Sequence, residues 1–143
     1  MPREPLRVVA AALVRRGIEG ELQVLIAQRP PGKWQAGCWE FPGGKIDAGE
    51  TAQGAMIREL AEEIGVEALR LLPVQTFHHD YPDRSVEIGL WLVPAFSGEP
   101  RALDGQALRW VAPEALAGSD LLEADIAMIG PLLAALHGVT LGP

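Results

Sequence analysis

Residues 52–64 are predicted to form a helix whose two faces differ in chemistry. Thr51 is a suitable N-cap, and Gly65 can take the left-handed conformation that ends many helices. At about 100° per residue, the apolar side chains gather on one face: Ile57, Leu60, Ala61 and Ile64. A helix this short is not stable alone, so its apolar face must be held by packing against the rest of the chain.

The opposite face of this helix carries three carboxylates, from Glu59, Glu62 and Glu63. Like charges at this spacing destabilise an isolated helix by roughly 0.3 kcal/mol per pair. A divalent cation with oxygen ligands would remove the repulsion, and a glycine-rich turn, Pro42-Gly43-Gly44-Lys45, precedes the helix. Three glutamates alone would also fit an ordinary solvated surface, so a metal site needs further support.

The spacing of residues across this turn and helix supplies that support. Residues 44–66 match, position for position, the Nudix box G-x5-E-x7-R-E-U-x-E-E-x-G-U, where U is aliphatic: Gly44, Glu50, Arg58, Glu59, Leu60, Glu62, Glu63, Gly65 and Val66. Such a match arises by chance in a chain of this length with a probability of roughly 10⁻⁷ or less. The chain therefore resembles the Nudix hydrolases, which implies an α/β fold, the Nudix-type α/β/α sandwich with a mixed β-sheet.

The resemblance also implies a set of metal ligands. Mg²⁺, with Mn²⁺ able to substitute, would be held by Glu59, Glu62, Glu63 and the backbone carbonyl of Gly44. Asp104 stands on the loop before Gly105-Gln106, where the family more often carries a glutamate. We expect the shorter Asp104 side chain to reach a second metal through water.

Cleavage of a phosphoanhydride then requires charge neutralisation and an activated water. The catalytic candidates are Glu59, Glu62 and Arg58. A glutamate near the metal can accept a proton from the water, and Arg58 would orient a carboxylate rather than touch substrate. Glu50 belongs to the box and is expected to act around the metal ligands rather than as a constant ligand.

Outside the box the chain resembles the MutT-type branch, which hydrolyses nucleoside triphosphates to the monophosphate and pyrophosphate and clears mutagenic 8-oxo-dGTP. The matching segments are Ala27-Gln28-Arg29, Trp39 to Lys45, Tyr81-Pro82-Asp83-Arg84, Gly105-Gln106 and Ala124-Asp125. In that branch the positions of Arg29, Phe41 and Arg84 lie at the nucleotide pocket. Asp125 occupies the position of an asparagine that reads the purine edge.

Asp125 is a departure from that branch. An ionised aspartate only accepts hydrogen bonds, whereas asparagine also donates. Aspartate at this position also occurs in Nudix enzymes that act on CTP and 5-substituted dCTP, which gives an alternative substrate. A third possibility is a Nudix domain that senses a nucleotide without cleaving it, although such domains commonly lose a box glutamate and this chain has lost none.

The composition sets the broader limits. With 143 residues, the chain is expected to form one domain, residues 1–143, and no apolar run is long enough to span a membrane. The N-terminus does not resemble a secretory signal, which indicates a cytoplasmic protein. The net charge of -7 argues against binding to a nucleic-acid polymer. Cys38, the only cysteine, is expected to be a small buried side chain that packs as an apolar group.

The rest of the chain is predicted to be richer in strands than in helices. The predicted strands are 6–14, 22–29, 38–41, 69–81, 84–95 and 107–111, with Pro42 to Lys45 as a turn. Short helical structure is predicted at 113–116 and a terminal helix at 125–136, interrupted at Gly130-Pro131. Residues 1–5 and 138–143 are expected to be frayed ends. The four tryptophans are mostly core candidates, and any of them could also edge a base pocket.

Overall fold

The chain folds into a seven-stranded mixed sheet with helices on both faces, as the resemblance implies. A computed structural model describes residues 4–142. Its elements are β1 (Leu6–Arg16), β2 (Leu22–Gln28), β3 (Trp39–Glu40), β4 (Gly43–Lys45), α1 (Ala52–Ile64), β5 (Glu67–Tyr81), β6 (Arg84–Ser97), β7 (Ala107–Val111), a 3-10 helix (Pro113–Gly118), α2 (Glu123–Ile126) and α3 (Ile129–Leu136). None of the helices in the described part of the chain has the length and apolarity to cross a membrane.

The central path of the sheet runs in the order β3-β2-β1-β6-β5, with β4 paired to β1 and β7 paired to β2. Strand β1 pairs with β6 in parallel, and the other pairings between the named strands are antiparallel. The predicted mixed sheet is therefore confirmed. Strand β1 joins the two halves of the sheet, because it lies between β2 and β6.

Alternate residues of β1 serve two separate cores. Val9, Ala11 and Leu13 pack with the buried face of α1, whereas Ala10, Ala12 and Val14 pack on the side that holds α3. Side chains along a strand point to opposite faces, so one apolar strand covers both helical layers. This explains why residues 9–14 read as a continuous apolar run rather than as an alternating one.

Helix α1 has the predicted bounds and caps. Thr51 Oγ1 accepts a hydrogen bond from Gly54 N at 3.0 Å, and Gly65 ends the helix with φ of 71°. The buried residues Met56, Leu60 and Ile64 fix the apolar face against the sheet. The carboxylate-bearing face is consequently turned away from the core.

Two predictions about local structure are wrong. Gly43 to Lys45 form strand β4 rather than part of a turn, because they pair with Val8 to Ala10 of β1. The predicted helix at 125–136 is split near Ala127 into α2 and α3 instead of at Gly130-Pro131. Pro131 lies in the first turn of α3, where a missing N–H costs no intrahelical hydrogen bond.

The C-terminal segment is held in place, so the expectation of a frayed end is wrong for residues 138–142. Arg70 Nη1 donates to the carbonyl of Thr140 at 2.8 Å, and Gly142 N donates to the carbonyl of Pro94 at 2.9 Å. Val139 and Leu141 pack on the core beside α3. At the other end, residues 4 and 5 are exposed and outside any element, while residues 1–3 and 143 lie outside the described residues.

Candidate active site

An acidic cleft of about 370 Å³ opens between α1 and the loop before β7. We use the name acidic cleft for the space whose carboxylates are Glu40, Glu59, Glu63 and Asp104; its other lining residues include Arg29, Lys33, Gly43 and Gln106. The structure thus brings Asp104 next to two of the predicted metal ligands. It does not bring Glu62 there, because this side chain is 61% exposed and points toward Arg58.

Arg58 connects the carboxylates around the cleft. Its Nε and Nη2 atoms donate to the two oxygens of Glu50 at 2.7 and 2.8 Å, a bidentate pair. Its Nη1 donates to Glu59 at 3.0 Å and to Glu62 at 3.2 Å. The Arg58 hydrogen bonds hold the pKa of Glu50 well below its usual range, at about 2. Arg58 therefore contacts the carboxylates of Glu50, Glu59 and Glu62, and an orienting role for it stays a prediction.

The carboxylates inside the cleft repel one another. Burial, followed by the charge of Glu40, raises the pKa of Glu63 to about 8, although Gly43 N donates to Glu63 at 3.1 Å. Burial also raises the pKa of Glu59 and that of Glu40, against the opposing effect of Arg58 and Arg29 respectively. Negative charge concentrated in a half-buried site favours the binding of a cation.

Backbone contacts hold the Asp104 loop against the end of α1. Arg101 N and Leu103 N donate to the carbonyls of Ile64 and Glu63, which have no partner within the helix. Gln106, which is 7% exposed, accepts from Asp104 N at 2.9 Å and donates to the Glu63 carbonyl at 3.1 Å. These bonds explain how Asp104, which lies 41 residues after Glu63 in the sequence (104 − 63), reaches the same cleft.

Two glycines allow β4 to approach its neighbours closely. A Cβ on Gly43 would lie 1.9 Å from the carbonyl oxygen of Val9, so only glycine fits between β4 and β1. A Cβ on Gly44 would lie 2.4 Å from the Glu59 carboxyl group. The Gly44 backbone is therefore adjacent to Glu59, as a shared ligand role would require.

Carboxylate and carbonyl oxygens are the donors that a hard divalent cation prefers. Within residues 4–142, no three acidic, histidine or cysteine side chains are already grouped to hold an ion. Glu59 is engaged by Arg58, and Glu63 by the Gly43 N–H. Each of these contacts uses one carboxylate oxygen, so the other oxygen of Glu59 and of Glu63 remains available to an ion. The donor chemistry thus fits Mg²⁺.

A second cleft of about 260 Å³ adjoins the first on the face of the sheet opposite α1. We call it the apolar cleft; its walls include Val8, Ala10, Phe41, Tyr81, Val86, Ile88, Leu122 and Ala124. The four predicted nucleotide-pocket residues all line it: Arg29, Phe41, Arg84 and Asp125. Arg29, Glu40 and Gly43 border both clefts, so a ligand can extend from one into the other.

Asp125 is the buried polar group of the apolar cleft. It is 5% exposed, and its Oδ2 accepts a hydrogen bond from Phe41 N at 2.8 Å. Burial raises the pKa of Asp125 to about 8, despite that hydrogen bond. A carboxyl group that is neutral near pH 7 both donates and accepts, as asparagine does. The difference between aspartate and asparagine at this position is therefore smaller than the sequence alone suggests.

Two residues of the clefts, Glu40 and Tyr81, were given no role from the sequence, whereas Trp34 was expected in the core or at the edge of a base pocket. Glu40 borders both clefts and pairs with Arg29 Nη1 at 3.0 Å. Trp34 presents its ring to Tyr81 edge to face at a centroid distance of 4.5 Å, and both line the apolar cleft. Glu40 could have been identified from the sequence, since it lies within the Trp39 to Lys45 segment that resembles the MutT-type branch.

The four tryptophans and Cys38 were expected to be mostly buried, and this expectation is met only in part. Trp39 is buried at 7% exposure, whereas Trp34, Trp91 and Trp110 are only partly buried. Cys38 is half-buried rather than buried, so the expectation of a core position is wrong. Its position next to Trp39 suggested burial, but it lies at the end of the exposed 30–37 loop.

Comparison with known proteins identifies the family. The NUDIX domain model matches residues 5–133. The chain is 38% identical to a CTP pyrophosphohydrolase of Escherichia coli over 90% of its length and 92% of that protein. It is also 38% identical to an 8-oxo-dGTP diphosphatase of Haemophilus influenzae, over 90% of this chain and 93% of that one.

A solved structure agrees with these relatives. The crystal structure of a MutT NUDIX hydrolase from Burkholderia pseudomallei superposes with a TM-score of 0.80 at 31% identity, covering 91% of this chain and 99% of that one. The box glutamates, the two adjoining clefts and these similarities lead to the same assignment. The chain belongs to the Nudix hydrolase family, in its MutT-type branch.

Proposed function

We propose that this chain is a Mg²⁺-dependent nucleoside triphosphate pyrophosphohydrolase that releases the monophosphate and pyrophosphate, with 8-oxo-dGTP as its main substrate. The observation that carries the proposal is the junction of an acidic cleft with an apolar cleft at Arg29, Glu40 and Gly43. A nucleotide has the matching division, since a flat apolar base is joined to a polyanion. Cellular nucleotides also suit the cytoplasmic location expected from the sequence.

In this proposal Glu59, Glu63, Asp104 and the Gly44 carbonyl hold the metal, and Glu62 joins them after leaving Arg58. When bound, Mg²⁺ neutralises charge on the phosphate oxygens and lowers the pKa of coordinated water. Arg58 keeps the Glu59 carboxylate oriented through the 3.0 Å hydrogen bond, and Glu59 accepts the proton of the attacking water. The guanidinium of Arg29, at the junction, is positioned to contact the phosphate chain.

The assay that tests this function is pyrophosphate release from a panel of oxidised and normal nucleoside triphosphates and nucleotide sugars, with and without Mg²⁺. We expect Glu59→Gln and Glu63→Gln each to lower kcat by about 10²-fold or more, because each removes a charged ligand of the metal that neutralises the reacting phosphate. Glu114→Gln, an exposed acid of the 3-10 helix, is the matched control.

A nucleotide-sensing domain without catalysis is the non-enzyme alternative. Binding of nucleotides without any pyrophosphate release would support it and would contradict the proposed activity. Glu62→Gln adds a separate test, because this side chain lies outside the acidic cleft. Unchanged turnover in Glu62→Gln would remove Glu62 from the ligand set while leaving Glu59 and Glu63 in it.

The alternative substrate is CTP or a 5-substituted dCTP. It is favoured by Asp125, and by a relative described as a CTP pyrophosphohydrolase. We expect Asp125→Asn to change the ratio of kcat/KM between 8-oxo-dGTP and cytosine nucleotides above pH 8, because there the carboxylate, whose pKa is raised to about 8, only accepts hydrogen bonds, whereas the amide also donates. An unchanged ratio would mean that Asp125 does not contact the base.

A further inference from the structure

Tyr81 is the only tyrosine of the chain and lies at the end of β5, in the wall of the apolar cleft. Its side chain is largely buried, at 9% exposure of the residue. The same wall contains Ala124 and Asp125, which belong to α2. The Tyr81 hydroxyl therefore stands close to the segment that carries the buried carboxyl group.

The Tyr81 hydroxyl holds this segment in place. It accepts a hydrogen bond from Ala124 N at 3.1 Å. Helix α2 has no side-chain cap at Leu122, so one of its first N–H groups would otherwise lack a protein partner. Tyr81 thus acts as a cap supplied from the sheet, immediately before Asp125.

The hydrogen of the same hydroxyl remains free for another acceptor. A tyrosine hydroxyl has one donor besides its acceptor lone pairs, and in the hydrogen bonds found among residues 4–142 Tyr81 only accepts. Burial, together with the charges of Asp125 and Glu123, raises the pKa of Tyr81, so the proton stays on the oxygen at neutral pH. Trp34 and His79 meet the ring edge to face at 4.5 and 4.4 Å and fix its orientation.

We propose that Tyr81 is a specificity-determining residue, whose hydroxyl donates a hydrogen bond to an acceptor atom of the nucleobase while Asp125 binds the neighbouring position of the same base edge. This inference rests on the proposed function only in placing a nucleotide base in the apolar cleft. Purine and pyrimidine edges place a ring nitrogen or carbonyl acceptor beside an N–H donor, which a hydroxyl and a carboxyl group together can match.

The variant Tyr81→Phe removes the oxygen and keeps the ring. We expect the affinity for 8-oxo-dGMP or CMP, whichever the wild type binds more tightly, to fall roughly tenfold in calorimetry with EDTA. KM for the corresponding triphosphate should rise by a similar factor, with kcat changed less than about twofold, because the hydroxyl does not touch the reacting phosphate. Inhibition by inorganic pyrophosphate should not change.

Ser119→Ala is the matched control for lost stability. It also removes a hydrogen bond between a side chain and the backbone, the partly buried bond from Ser119 Oγ to the Ala115 carbonyl, but Ser119 does not line the apolar cleft. If Tyr81→Phe loses only thermal stability, as this control does, and keeps its nucleotide affinity, the hydroxyl is only a cap and the inference is wrong.

A second measurement leaves the fold intact. Because Tyr81 is the only tyrosine, growth with 3-fluorotyrosine labels one position for ¹⁹F NMR. We expect the resonance to shift with 8-oxo-dGMP or CMP and not with pyrophosphate. A fixed resonance in the presence of bound monophosphate would overturn the inference. The calorimetry and the NMR measurement omit Mg²⁺ and turnover, so failure of the proposed hydrolysis would appear separately, as absent pyrophosphate release.

Discussion

Asp125 shows how a single side chain changes its chemistry through its surroundings. In the sequence it is an acid at a position where the MutT-type branch carries an amide. In the structure it is 5% exposed, and burial raises its pKa to about 8. The neutral form can donate from the oxygen that does not face Phe41 N. Burial therefore gives this acid the hydrogen-bonding range of asparagine near pH 7.

The raised pKa of Asp125 predicts a dependence of stability on pH. Between its unfolded pKa near 3.8 and its folded pKa of about 8, the native state binds one more proton than the unfolded state at this residue. The free energy of unfolding should therefore fall as the pH rises through this window, by up to ~1.4 kcal/mol per pH unit from this group. In Asp125→Asn this part of the slope should disappear.

Urea unfolding at several pH values within this window measures the difference in slope between wild type and Asp125→Asn. The control is Glu123→Gln, which changes a neighbouring side chain that is 73% exposed. Parallel slopes for wild type and Asp125→Asn would mean that Asp125 is ionised in the folded protein at neutral pH.

At the scale of elements, strand β4 joins the fold to the site. Gly43 meets the β1 backbone, and Gly44 meets the Glu59 side chain. We expect Gly43→Ala to destabilise the protein by about 3 kcal/mol or more, since backbone cannot easily move away from a new methyl group. Gly44→Ala should mainly reduce activity, because a flexible carboxylate can move aside.

Thermal unfolding and pyrophosphate release, measured on both variants, separate these effects. Gly118→Ala in the 3-10 helix is the control, because a Cβ there would meet nothing within 4 Å. Equal loss of stability in Gly43→Ala and Gly118→Ala would contradict the close approach of β4 to β1.

Local signals were sufficient to predict the ends of α1 and its acids, but two members of the predicted apolar face, Ile57 and Ala61, are exposed. Thr51 and Gly65 set its ends, and the box spacing identified the acids of its outer face. The helical wheel did not settle which acids face the cleft, because that depends on where β4 and the Asp104 loop pack. Glu59 and Glu63, four residues apart, face inward, and Glu62 lies at the margin with Arg58.

Features that depend on distant contacts could not be read from the sequence. Strand β4 exists because Gly43 to Lys45 find partners 35 residues earlier in β1, as in the pairing of Val9 with Gly44 (44 − 9). Glu40 and Tyr81 acquire their positions from pairing and from α2, and neither belongs to the box. The family resemblance carried the prediction of the four pocket residues, which periodicity alone did not indicate.

At the scale of the whole molecule, the C-terminal segment closes the core beside α3. Leu141 packs on this core, and Thr140 and Gly142 accept hydrogen bonds from Arg70 in β5. We expect Leu141→Ala to lower the free energy of unfolding by about 1 kcal/mol, because its side chain is partly buried. Activity at low temperature should persist, since the segment lies away from both clefts.

Chemical denaturation compares this variant with Leu133→Ala, a leucine of α3 that is 37% exposed and serves as control. A loss in Leu141→Ala no larger than in the control would mean that the C-terminal segment is loosely attached in solution.

The division of β1 between two helical layers limits how the chain can vary in length. Adding or deleting one residue between Val9 and Val14 would exchange the side chains facing α1 with those facing α3. The turn from Gly17 to Glu21 is exposed and closes on itself through Gly17 N and the Glu21 carbonyl. Insertions should therefore be tolerated at that turn, whereas insertions between Val9 and Val14 of β1 should disrupt the fold.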